Sequence, residues 1–284
     1  TDDVPDAPDT DDASDTPDTA DGEADIGPPS GPLATACGSV PLGIETFPIP
    51  EASGATWVTA PFAPGWLVVA DSGNDGQAVH ALESPWQLIP RTFPLDPGAS
   101  DDLEGLSQGH LGRILALTSS GFLREWELQG EALVQTRSAY PLWLGGSEWV
   151  CDDPQAVNCG RNYEGFCLHR APVDAVGADA CAGFVVSKAD GLIACVVLED
   201  GSYRLDPTRV LDGWDPGSVS GCDFELTPPY RLVVASNYAD NSYLWEVAGW
   251  QDLATATRVN LGLIGPPNQE AVAFGPNRRI LVFG

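Results

Sequence analysis

Three short segments of this chain place a glutamate next to glycine or alanine, with an acid or amide two residues earlier. They are Asp102-Leu103-Glu104-Gly105-Leu106, Asn162-Tyr163-Glu164-Gly165-Phe166 and Asn268-Gln269-Glu270-Ala271-Val272. Carboxylate and amide oxygens are hard donors. Brought to one surface, Glu104, Glu164, Glu270, Asp102, Asn162 and Asn268 would form a ligand set suited to Ca2+. Without a cation, carboxylates so placed repel and raise one another's pKa. The same residues also have plainer uses. Asp, Asn and Gly form turns at strand ends, and a repeated glutamate can bond the backbone of the next unit. A catalytic carboxylate is the third use.

Nucleophile chemistry has little to draw on. The sequence holds no G-x-S-x-G, H-E-x-x-H, P-loop or G-x-G-x-x-G pattern. The histidines are His80, His110 and His169. His110 and His169 fall at the ends of strands away from the glutamates and read as exposed turn residues. His80 opens a strand and is the one histidine expected to approach the acidic residues from the side. Asp71-Ser72-Gly73-Asn74-Asp75-Gly76 begins like an EF-hand loop, but its third position is Gly and its twelfth is Leu82, so a Gly-rich hairpin loop is the better reading.

The glutamates belong to a repeat. Ser218-Val219-Ser220-Gly221-Cys222 and Glu51-Ala52-Ser53-Gly54-Ala55 share the pattern with Ser in place of Glu. The third positions are 53, 104, 164, 220 and 270, separated by 51, 60, 56 and 50 residues. Each is followed by an apolar strand: Trp66–Ala70, Arg113–Thr118, Gly183–Ser187, Arg231–Ser236 and Arg279–Phe283. The clearest unit, residues 101–140, holds four short strands. A period near 50 residues built on a four-stranded meander predicts an all-β chain, a five-bladed β-propeller, with six blades as the alternative. The segment SVPLGIETFPI resembles an outer strand, and 41–49 is expected to close the last blade, which otherwise holds only 269–274 and 279–284. The last unit would then be truncated or incomplete.

In an antiparallel meander the start of the first strand and the end of the second share an edge. The glutamate motifs therefore share one face with the loops after the second strands. That face would also collect Asp71, Asn74 and Asp75, then Lys188 and Asp190, then Asn237, Asp240 and Asn241. Asp71, Asp75, Asn237 and Asp240 are candidate ligand-binding residues. Trp143 and Trp149, in the insertion PLWLGGSEWV, would line a ligand groove or cap the core. The remaining Trp fall largely on strands, where packing is their default use.

The chain has 284 residues, 43% of them apolar, and a net charge of −28. Residues 1–25 carry ten Asp and one Glu with no Lys or Arg, leaving 30 acids against 13 bases elsewhere, a net −17. So acidic a body argues against sequence-independent nucleic-acid binding. No stretch reaches the length of a membrane span. Residues 1–35 are Asp, Thr, Pro and Ala with almost no large apolar side chain, which predicts a disordered acidic stalk ahead of a folded 36–284. Met is absent and position 1 is Thr, which suggests processing at the start. A stalk of this kind fits an exported, surface-tethered protein with a lipid anchor upstream of residue 1, as in bacterial lipoproteins. Seven cysteines in such a chain predict disulfides. Cys151 and Cys159 flank a short insertion and are the preferred pair. Two of Cys167, Cys181 and Cys195 would pair across neighbouring strands.

The segments DLEGLS, LALTSSGFLREWEL and NQEAVAFGPNRRILVFG resemble the esterase-like-phytase and SdiA-regulated propeller families over roughly residues 40–284, and more distantly the gluconolactonase-like propellers. The last resemblance implies a metal-ligand role for Glu104 and Glu164. The leading expectation is a binding module for a small ligand or protein, with Ca2+ at an acidic axial face. The alternatives are a Ca2+-dependent hydrolase of a lactone or phosphoester and a structural envelope protein.

Overall fold

In the computed structural model the described residues are 49, 51–71, 77–84, 87–96, 102–142, 151–172, 177, 179–215, 217–238, 240–265 and 268–284. The acidic segment 1–35, the proposed closing strand up to residue 48, Cys37, Asn74, Asp75, Trp143 and Trp149 lie outside them. The strands fall into successive antiparallel meanders. The first is β1 (Ala52–Val58), β2 (Gly65–Ala70), β3 (Gln77–Ser84) and β4 (Gln87–Asp96). The second is β5 (Leu103–Gln108), β6 (Ile114–Thr118), β7 (Phe122–Gln129) and β8 (Ala132–Pro141). The third is β9 (Tyr163–Leu168), β10 (Gly183–Ser187), β11 (Leu192–Glu199) and β12 (Ser202–Leu211). The fourth is β13 (Val219–Phe224), β14 (Leu232–Tyr238), β15 (Asn241–Ala248) and β16 (Thr257–Gly265). A hairpin, β17 (Ala271–Phe274) and β18 (Ile280–Phe283), follows. A short parallel pairing of β4 with β8, Leu95 opposite Leu133, joins the first two meanders at their outer edge.

The first strands pack side by side in a cycle: β1 on β5, β5 on β9, β9 on β13, β13 on β17, and β17 back on β1. The core follows that cycle. Each apolar cluster draws on two consecutive sheets, for example Leu117, Leu123, Phe166 and Val185 between the second and third, or Phe184, Val186, Phe224 and Val234 between the third and fourth. The cluster of Trp57, Trp66, Ala271 and Phe283 seals the last sheet to the first, with Ile49 buried in it. This is an all-β, propeller-like fold, with the chemistry of the first strands gathered about a common axis.

The Gly of the repeated motif is there for that packing. A Cβ at Gly105 would lie 2.1 Å from the backbone nitrogen of Phe166, and one at Gly221 would lie 2.4 Å from the carbonyl oxygen of Glu270. Neighbouring first strands therefore touch backbone to backbone at this position, where no side chain fits.

Disulfides reinforce the third and fourth sheets. Cys151 pairs with Cys159, as the spacing suggested. Cys181 and Cys195 join within the third sheet. Cys167 and Cys222 join β9 to β13, across two sheets.

Candidate functional site: an acidic cluster on the axis

Glu104 and Glu164 reach the axis because their strands are bulged, whereas Glu270 lies directly before β17, whose pairing with β18 is regular. In β5 the pairing with β6 shifts between Leu103 and Gly105, leaving Glu104 as the extra residue. Ser53 in β1 and Ser220 in β13 occupy the same kind of shift, and in β9 the pairing skips Glu164. A bulge breaks the period of two and re-aims the side chain it carries. The consequence appears in the core. Leu103 and Leu106, three residues apart, enter one cluster, as do Tyr163 and Phe166, whereas a regular strand would send them to opposite faces.

At this position the two residue types do different jobs. Ser53 donates to the Leu103 carbonyl, and Ser220 donates to the Gln269 carbonyl at 2.9 Å. The serines thus bond each sheet to the main chain of the next. Glu104 makes no such bond. It is 6% exposed and has neither a hydrogen-bond donor nor an ion-pair partner among the described residues. Asp71, directly after β2, and Asp102, directly before β5, lie beside it. One carboxylate oxygen from each of Asp71, Asp102 and Glu104 falls within 4.8 Å of the other two. Burial, followed by the charges of Glu164, Asp102, Asp71 and Glu270, pushes the Glu104 carboxyl well above the usual range.

Asp102 is held from behind. The Ser119 hydroxyl donates to its Oδ2 at 2.5 Å, and the Ser119 amide donates to its carbonyl at 2.9 Å. Ser119 Oγ in turn accepts from the Asn158 amide at 3.3 Å, inside the loop closed by Cys151 and Cys159. The predicted disulfide therefore braces one wall of the site.

Glu164 and Glu270 lie outside the 4.8 Å trio, although Glu164 exerts the largest charge effect on Glu104. Lys188, directly after β10, brings Nζ to 3.1 Å from Glu164 Oε1, and the Asn162 side-chain amide donates to the same oxygen at 3.1 Å. Burial still raises the Glu164 carboxyl to about 7, against the pull of Lys188. Burial likewise raises Glu270, with Lys188 opposing and Asp71 adding to the effect. Asn162 and Asn268 have positive φ angles, 49° and 67°, a backbone region Asn tolerates better than most residues. Their amide type answers first to that turn geometry. Asn237 accepts from the Ser242 hydroxyl at 2.5 Å and Asp240 is exposed. Asn237 lies near the end of β14 and Asp240 in the turn to β15.

The histidines depart from expectation. His80 is buried against the rings of Phe62 and Phe93 and sits beside Gly65, at the start of β2. Asp71 follows the other end of β2, so His80 does not approach the acidic cluster. Burial lowers its pKa. His169 is not an exposed turn residue either. It packs 5.2 Å from the Trp250 ring and 5.7 Å from the Phe224 ring, with Nε2 bonded to the Cys181 carbonyl at 2.7 Å. The apolar stretches beside both residues claimed the imidazoles for packing. His110 does occupy an exposed turn.

The far mouth of the ring is crossed by Arg170. It follows β9 yet donates to the carbonyl of Trp57 in β1, and β1 is not a neighbour of β9 in the cycle. Asp223, fully enclosed in β13, lies within electrostatic reach of Arg170 and accepts from the Phe274 amide at 2.7 Å. One end of the axis is thus acidic, and the other carries a half-buried Arg. Sequence reading had no signal for this arginine, because its partner lies 113 residues away.

No family model matches the chain, and no curated protein matches it. Among solved structures, it is similar to that of U3-55K, at 12% identity and a TM-score of 0.40, covering 74% of this chain and 51% of that one. The chain thus spans about half the length of that structure.

Proposed function

We propose that this chain is a five-bladed β-propeller acting as a binding module, and that its acidic axial face takes one hard divalent cation, Ca2+ by ligand type, between Asp71, Asp102 and Glu104. The observation that carries this reading is Glu104: a buried carboxylate with no hydrogen-bond donor or ion-pair partner among the described residues, facing two more carboxylates. An all-oxygen set of this kind suits Ca2+. Bound there, the ion would offset the mutual repulsion of the carboxylates and present a positive centre to an anionic or carbonyl group of a ligand. Segment 41–49 would supply an outer strand to the last blade, a placement supported by the burial of Ile49 beside Phe283. The three disulfides favour an oxidising, non-cytoplasmic location, and no helix among the described residues is long and apolar enough to cross a membrane. Export would place the chain in such a compartment.

Calorimetric titration of the full chain with Ca2+ tests it. Micromolar binding that disappears in a folded Glu104→Gln variant is the expected result. A folded wild type that takes up no Ca2+ would remove the cation from the proposal.

A second reading, metal-assisted hydrolysis of a lactone or phosphoester, rests on the same convergence of three carboxylates. Glu164 would be the neighbouring general base. Turnover of lactone or phosphoester substrates by the Ca2+-loaded chain, lost in Glu104→Gln, would favour it. Binding without turnover would leave the module.

A further inference from the structure

The acidic ring has two unlike halves. In one, Glu104 and Asp102 have no basic side chain within ion-pair distance among the described residues. In the other, Lys188 already supplies a positive charge to Glu164. That ammonium is delivered from a fixed backbone. The Lys188 amide donates to the Asn162 carbonyl at 2.8 Å, so the side chain starts from the same turn that positions Glu164. Its head lies on Glu164 Oε1, with Glu270 and Glu104 within electrostatic reach. Asn162 donates its NH2 to that oxygen, while its Oδ1 is buried with no partner among the described residues. Glu164 is 2% exposed. This second half therefore holds a buried carboxylate, a neighbouring carboxylate and an idle amide oxygen. Its one resident cation belongs to the protein.

We propose, resting on the reading that the open half takes a divalent cation, that Lys188 is a built-in counter-ion filling a second cation position, bounded by Glu164, Glu270 and Asn162, and so limits the ring to one bound metal ion. Lys188 pairs with Glu164 and has Glu270 and Glu104 within electrostatic reach. Taking the ammonium away leaves the Glu164–Glu270 half with oxygen donors and no charge partner. A second metal ion would restore it.

The test is Ca2+ calorimetry on the full chain, read as stoichiometry. Wild type should take up one ion, Lys188→Gln two, and Lys188→Gln with Glu104→Gln again one. Lys188→Arg keeps a cation in place and should stay at one ion, which separates loss of charge from loss of fold. Thermal unfolding of each variant checks that it is folded. One ion in both wild type and a folded Lys188→Gln, with affinities within twofold, would overturn the role of Lys188 and leave the open site standing. No ion in wild type but one in Lys188→Gln would overturn the open-half site while supporting the role of Lys188. No ion in either would overturn both.

Discussion

Ser119 donates its hydroxyl proton to Asp102 at 2.5 Å while accepting the Asn158 amide at 3.3 Å. A carboxylate on the axis is thereby tied to a surface loop closed by Cys151 and Cys159. Orientation of Asp102 depends on that chain of bonds. Ser119→Ala removes a charge-assisted hydrogen bond, and its expected effect is a fall of about tenfold in Ca2+ affinity. Cys151→Ser with Cys159→Ser should weaken binding in the same direction by loosening Asn158. Calorimetry on both variants checks this; unchanged affinity in each would mean that Asp102 is positioned without the loop.

The bulged first strands require Gly beside the bulge. Gly105→Ala would drive a Cβ into the Phe166 nitrogen, which lies 2.1 Å from the ideal position. Backbone cannot give way as a side chain can, so a loss of about 3 kcal/mol is expected in urea unfolding. Gly265 is the control. A Cβ there meets nothing nearer than 3.5 Å, the Gln269 side chain, and its replacement by Ala should change stability by about 0.5 kcal/mol or less.

The repeat, the order of the strands and the shared acidic face were legible from residue types, since each motif precedes an apolar strand at a near-constant spacing. The bulge was not, because the ordinary period of a strand is two and a single extra residue leaves no turn signal. Its signal lies in pairs such as Leu103 and Leu106, or Tyr163 and Phe166: apolar residues three apart in a strand, bracketing Glu-Gly. The division of labour between serine and glutamate follows from reach. A serine hydroxyl is near enough to bond the adjacent carbonyl, whereas the longer Glu104 extends toward Asp71 and Asp102. Lys188 read as one loop residue among several, and its pairing with Glu164 needed the third sheet's register, in which Ser187 lies opposite Tyr163.

The Cys167–Cys222 bond was likewise out of reach of spacing, because it depends on β9 and β13 being neighbours in the cycle. It spans 55 residues and crosses two sheets. The chain-entropy model gives such a closure about 4 kcal/mol. Cys167→Ala with Cys222→Ala should lower the melting temperature by on the order of 10 °C. Removing the Cys151–Cys159 bond, which spans 8 residues, should cost less. Calorimetric melting of the two double variants side by side checks the order.

Asp223 makes stability depend on pH in a defined direction. Burial raises its carboxyl to about 7, against the Phe274 and Phe224 amides and Arg170, which pull it down. In the unfolded chain the group titrates near its ordinary value of about 3.9. Between these two values the folded state holds the proton more tightly. The contribution is therefore fully present below about pH 4 and is lost as pH rises through about 7, a change on the order of 4 kcal/mol. Asp223→Asn keeps an acceptor for the Phe274 amide and removes the titration. Melting temperatures of both proteins from pH 4 to pH 8 should show the wild type losing stability relative to the variant as pH rises. Parallel curves would mean that Asp223 keeps the same charge throughout and that Arg170 holds it ionised.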